Sequence, residues 1–141
     1  MTRDEHLLEI VAAHQGREGP LLPILHDVQA AFGCVDSEAE RVIAHALNLT
    51  RAEVHGVVSF YHDFNSKADP RPVVQLCRAE ACQARGVEAM VPAAEAAAEG
   101  RVRLQTVYCL GLCSAGPAAR VGDTVYARLD ATALTRLVQS V

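Results

Sequence analysis

Four cysteines constrain this chain more than any other feature. Cys77 and Cys82 stand in QLCRAEACQARG with four residues between them, and Cys109 and Cys113 stand in YCLGLCSAGPAARVGD with three between them. Residues 83–108 separate the two pairs. Thiols in such pairs form disulfides, hold metal or carry out dithiol redox chemistry, and a shared centre requires a fold that brings two distant loops together. The N-terminus, MTRDEHLLEIVAAHQ, mixes acidic residues with a short apolar periodicity and does not resemble a signal peptide. No apolar run approaches the roughly 20 residues of a membrane span, so membrane insertion is not expected. Cytoplasmic location is therefore the default, and a reducing compartment favours metal or redox use of the thiols over structural disulfides.

The segments around the cysteines read as an α/β unit preceded by helices. In residues 3–14, Leu7, Ile10 and Val11 share a face; in 20–32, Leu21, Leu25, Val28 and Phe32 form a helical stripe that Gly33 can cap. Ser37-Glu38-Ala39-Glu40 and Thr50-Arg51-Ala52-Glu53 both have the capping-box form, each before an apolar periodicity. The polar, proline-containing stretch 65–72 reads as a linker. Beyond it, residues 73–76 predict a strand and 87–99 an alanine-rich helix, which Pro92 would kink unless it lies near the first turn. Residues 101–108 alternate as a strand, 118–128 form a hairpin about Gly122-Asp123, and 130–141 form a final helix. The expected organisation is a helical bundle over 1–68 and an α/β domain over 69–141. Both cysteine pairs follow strands, and a helical crossover makes those strands parallel, so the pairs meet at one end of the sheet.

Three readings compete for four such thiols. Tetrahedral zinc usually takes a Cys-x2-Cys turn, and neither pair has that spacing, although two to four intervening residues do occur. A thioredoxin-type dithiol needs Cys-x-x-Cys at a helix start, and the loop from Cys77 to Cys82 is too long for it. A [2Fe–2S] centre takes two cysteines on each iron and suits wider loops with backbone N–H donors around the sulfurs. Gly111 and Ser114 are candidate donors; Arg78 would favour the dianionic centre electrostatically and Glu80 would oppose it. Spacing alone leaves iron–sulfur and other metal centres open.

LLPILHDVQAAFGCV, LNLTRAEVHGVVSFYHDF, LCRAEACQARG and YCLGLCSAGPAARVGD, taken in order, resemble the thioredoxin-like [2Fe–2S] ferredoxin subunits of NADH dehydrogenase complexes. The resemblance covers nearly the whole chain. It implies a helical bundle followed by a thioredoxin-like domain, with Cys77, Cys82, Cys109 and Cys113 as cluster ligands. It also implies docking on a flavin- and NADH-binding subunit with which single electrons are exchanged. Arg-Ala-Glu inside the first loop, where complex I members more often carry Gly-Thr, and the short termini look most like the gamma subunit of soluble, molybdenum-dependent, NAD-linked formate dehydrogenases. That subfamily implies a larger molybdenum- and iron–sulfur-containing catalytic subunit as second partner, and no substrate-converting site on this chain. The equivalent subunits of complex I and of NAD-linked hydrogenase diaphorases are the alternatives, and a zinc-stabilised assembly module without redox activity is the non-redox one.

The remaining features have plainer readings. Cys34, alone in AAFGCVDSE, reads as a small buried apolar residue. His6, His14, His26, His45, His55 and His62 are scattered over the helical half and read as surface or packing residues, although His55 and His62 could share a helix face. Phe60, Tyr61 and Phe64 read as core residues first and as a partner-facing surface second. No glycine-rich phosphate loop and no Ser-His-Asp set stands out. The net charge is −4 without a basic stripe, which argues against nucleic acid as a partner. Short amphipathic helices over the first half give a marginal core in isolation, so apolar surface left over is expected to be offered to another subunit.

Overall fold

A computed structural model describes residues 1–141, which form two compact units, Met1–Pro70 and Arg71–Val141. The first contains four helices: α1 (Arg3–Ala13), α2 (Leu21–Phe32), α3 (Ser37–Leu47) and α4 (Arg51–Phe60). Their apolar stripes bury Leu7, Val11, Ile24, Leu25, Val28, Ile43, Val54 and Val58 in one cluster. The helix ends follow local side-chain chemistry. Thr2 with Glu5 and Thr50 with Glu53 form reciprocal capping boxes at α1 and α4, and Gly33, at φ +71°, ends α2 in the left-handed conformation.

The α3 cap differs from the expected Ser37 box. Asp36 is the capping residue, accepting from the Ala39 N–H at 2.9 Å, and Ser37 is already helical. A carboxylate there both accepts the orphan N–H and pairs with Arg3 at 3.0 Å, which a serine hydroxyl does not do. His62 lies beyond the end of α4, so it shares no helix face with His55. His14 bonds Asp27 at 2.6 Å, His55 bonds the buried Glu40 at 3.1 Å, and His6 and His26 pack against Phe32 and Phe64 with their rings strongly inclined. Phe64 and Cys34 are buried, whereas Phe60 and Tyr61 are exposed.

The second unit is a four-stranded sheet in the order β2–β1–β3–β4, from β1 (Val73–Cys77), β2 (Arg103–Val107), β3 (Ala119–Val121) and β4 (Thr124–Tyr126). β1 and β2 are parallel, with Cys77 opposite Val107. β3 runs antiparallel to both β1 and β4, and Gly122-Asp123 forms the two-residue turn, with Gly122 at φ +57°. Val74 and Leu76 alternate onto one face. They are buried in one cluster with Val87, Met90 and Ala94 of α6 (Val87–Ala98) and Leu134, Leu137 and Val138 of α7 (Ala131–Ser140).

One feature departs from the periodicity reading. A five-residue helix, α5 (Glu80–Ala84), lies inside the first cysteine segment and is too short to show a period. α6 runs through Pro92 at its sixth position, as the helix expected over 87–99 does. Its alanines have high helix propensity, and its buried face of Val87, Met90, Ala94 and Ala98 anchors it on both sides of the proline. No helix is long and apolar enough to cross a membrane.

The α3 cap is testable. Asp36→Ala should destabilise the chain by about 1 kcal/mol in urea unfolding followed by far-UV dichroism, and Ser37→Ala should change it little. The N–H of Ala39, and next Arg3, hold the Asp36 carboxyl below its usual range. Its contribution is therefore complete above the usual aspartate range and is lost as pH falls through the depressed value. The difference between wild type and Asp36→Ala should shrink below about pH 4.

Candidate iron–sulfur centre

Parallel pairing of β1 and β2 puts both cysteine segments at one end of the sheet. Cys77 is the last residue of β1, and Cys109 follows the end of β2 by two residues. Cys82 lies in α5, and Cys113 opens a short 3-10 turn, Cys113–Ala115. Backbone bonds fasten the segments to one another: the Cys77 N–H donates to the Ala118 carbonyl at 3.0 Å and the Arg78 N–H to the Val107 carbonyl at 2.9 Å. All four thiols are free.

The two pairs differ in environment. Cys77 and Cys82 are 3% and 2% exposed, whereas Cys109 and Cys113 lie on the surface. Burial, reinforced by the neighbouring Cys77, pushes the Cys82 thiol up from its ordinary range. Cys109 and Cys113 have their sulfurs 3.4 Å apart. The Gly111 N–H donates to Cys109 Sγ at 3.3 Å and, with Cys113, pulls the Cys109 thiol below its ordinary range. Cys113 is pushed up by sharing a hydrogen bond with Cys109 and by the negative charge of that sulfur.

Backbone conformation supplies the aim. Cys109 has φ +114°, a region that costs a non-glycine residue about 1–3 kcal/mol, and Gly111 follows at φ +78°. The turn bends the sulfur of Cys109 back onto the Gly111 N–H. Gly116 answers a different need. A Cβ added there would meet Cys82 Sγ at 3.0 Å, so the segment after Cys113 passes over the buried thiol with no room for a side chain. The Gly116–Pro117 peptide is cis.

Some expectations for second-sphere groups change. Gly111 is a donor to sulfur, as its position suggests. Ser114 instead takes part through its carbonyl, which accepts from Arg85 Nη2 at 3.2 Å. Arg78 is held by Glu88, 2.9 and 2.5 Å away, so a carboxylate offsets its charge. Gln83, which the sequence did not single out, closes the first loop by donating to the Arg78 carbonyl at 2.7 Å. Arg85 and Gly116 were also not singled out; Arg85-Gly86 after the second cysteine and Gly116-Pro117 after the fourth were their only traces.

Two thiol pairs at one end of the sheet, one of them already supplied with a backbone N–H, match in number and kind the donors that a two-iron centre takes. The family model for the thioredoxin-like [2Fe–2S] ferredoxin matches residues 7–141. The chain belongs to that family. Its cofactor is accordingly a [2Fe–2S] cluster. Among curated relatives of this ferredoxin, subunit HndA of the NADP-reducing hydrogenase of Solidesulfovibrio fructosivorans is 28% identical, over 85% of this chain and 75% of the relative. NADH-quinone oxidoreductase subunit 2 of Thermus thermophilus is 30% identical, over 83% of this chain and 73% of the relative. A crystal structure of an NAD+-reducing [NiFe]-hydrogenase in the air-oxidised state superposes with a TM-score of 0.66 at 25% identity, over 85% of this chain. This ferredoxin spans only 22% of that hydrogenase chain.

Two glycine substitutions separate space from backbone freedom. Gly116→Ala should lower the iron bound per chain and alter the visible spectrum, because the buried Cys82 cannot step aside. Gly111→Ala has nothing within 4 Å of its new methyl and keeps its N–H. It should cost about 1–2 kcal/mol of stability yet retain iron.

Proposed function

We propose that this ferredoxin is a one-electron carrier within an NAD-linked oxidoreductase complex, with Cys77, Cys82, Cys109 and Cys113 as its cluster ligands. The observation that supports the reading is the placement of both thiol pairs at the same end of the parallel β1–β2 pair. When bound, the cluster takes up and releases single electrons. Cys77 and Cys82 hold its inner side out of water, and the Gly111 N–H supplies partial positive charge beside the Cys109 sulfur. Cys109 and Cys113, on the surface beside the exposed Tyr108, form the side from which an electron partner is reached.

The finer assignment is the gamma subunit of a cytoplasmic, molybdenum-dependent, NAD-linked formate dehydrogenase. Formate would be oxidised on the larger molybdenum- and iron–sulfur-containing subunit and NAD+ reduced on the flavin-bearing subunit, with no substrate site on this chain. What supports it is the Arg78-Ala79-Glu80 sequence inside the first loop. The exposed Leu8, Phe60 and Tyr61 suit a chain that works against other subunits. The names of the relatives favour the alternatives, a hydrogenase subunit or a NADH-quinone oxidoreductase subunit.

Anaerobic purification decides the first question. About two irons and two acid-labile sulfides per chain are expected, with a spin-half EPR signal on dithionite reduction that Cys77→Ser or Cys113→Ser abolishes or alters. One bound zinc and no signal after reconstitution would leave only the structural-module alternative. Isolation of the native complex through a tag on this chain decides the second. Formate-dependent NAD+ reduction is expected, and hydrogen- or quinone-dependent activity instead would assign the chain to the corresponding complex.

A further inference from the structure

We propose that Arg85 is a positioning residue for the cluster: it clamps the strap formed by residues 113–117 over the buried Cys82 thiol, and its charge raises the potential at which the centre is reduced. The inference rests on the four-cysteine ligand reading above. The origin of the side chain is fixed, because Arg85 ends α5 and its N–H donates to the Cys82 carbonyl at 3.2 Å. From there Nη2 reaches the second cysteine segment and donates to the Ser114 carbonyl at 3.2 Å. Its stem lies along the strap, since Cδ would be 3.5 Å from a Cβ on Gly116.

The strap is held elsewhere by backbone alone. The Arg128 N–H donates to the Ala115 carbonyl at 2.7 Å and the Leu129 N–H to the Pro117 carbonyl at 3.0 Å. Neighbouring carbonyls, those of Ser114 and Ala115, are thus taken by two different segments, and Arg85 is the side chain that ties the Cys82 segment to the Cys113 segment. Loosening that tie frees the strap that covers Cys82 at Gly116 and admits water to a thiol that is 2% exposed. The electrostatic part has its own basis. Arg78, the other cation near the first pair, is matched by the Glu88 carboxylate, whereas Arg85 bonds a neutral carbonyl. A guanidinium beside a centre that gains negative charge on reduction favours the reduced form.

The test uses the full chain with its cluster. Iron and sulfide are measured first, then bleaching of the visible absorption under excess chelator, then the potential in an EPR-monitored titration. R85Q should lose its cluster about fivefold faster, the scale of one hydrogen bond, and should titrate at lower potential. R85K keeps the charge and one donor and should return the potential to near wild type while restoring only part of the lifetime. R136Q, on the exposed face of α7, removes a charge bonded to neither cysteine segment and should change neither quantity. Wild-type lifetime and potential in R85Q overturn the proposal, as do equal shifts in R85Q and R136Q, which would reflect net charge alone. Loss of the native far-UV spectrum in R85Q also overturns it, because the residue would then serve the fold. Failure of R85Q to take up cluster with that spectrum intact supports the clamp. A wild-type chain without iron and sulfide fails the ligand reading instead, so the two failures are distinguishable.

Discussion

The parallel pairing of β1 with β2 is the constraint on which the centre depends. Parallel strands must be joined by a crossover, here through α5 and α6, and a crossover returns the chain so that both strands end on the same side. Cys77 and Cys109 therefore stand at the same end of the sheet without any local sequence relation. Had the two strands paired antiparallel, the pairs would stand at opposite ends of the sheet and no common centre would form. The apolar cluster of Val74, Leu76, Val87, Met90, Leu134 and Val138 maintains this pairing by burying the α6 and α7 faces against one side of the sheet.

The site itself is built from departures from regular structure. Cys82 sits in a one-turn helix, Cys113 in a 3-10 turn, and Cys109 in a left-handed conformation that glycine ordinarily occupies. At Cys109 the departure turns the sulfur onto the Gly111 N–H. The second-sphere groups divide the remaining tasks. Gln83 and the Arg78–Glu88 pair brace the first segment, Gly111 donates to sulfur in the second, and Gly116 allows one segment to lie against the other. Cys77 and Cys82 are buried and Cys109 and Cys113 are exposed, so a centre held by all four would have a protected side and an accessible one.

Some of this architecture is legible in residue order. Helices with long apolar stripes announce themselves, and so do the Thr50 box, the Gly33 cap and the Gly122-Asp123 turn, because each depends on residues within one or two turns. α5 is not legible, since five residues contain too little of a 3.6-residue period to register. The exchange of Ser37 for Asp36 as the α3 cap is likewise hidden. Both residue types cap well, and the choice is settled by Arg3, which is distant in sequence and adjacent only after α1 packs on α3.

By itself, the sequence determined the kinds of element, their order, the four thiols and the family resemblance, because these follow from local chemistry and spacing. Only the tertiary structure decided which thiols are buried, at which glycine a sulfur leaves no room for a side chain, and which arginine retains an unmatched charge. Those outcomes depend on groups separated by tens of residues. Arg78 and Arg85 look equivalent in CRAEACQARG, yet Glu88 offsets one and the Ser114 carbonyl receives the other. An arginine's influence on a buried centre is set by its neighbours in space, and those neighbours exist only once the chain has folded.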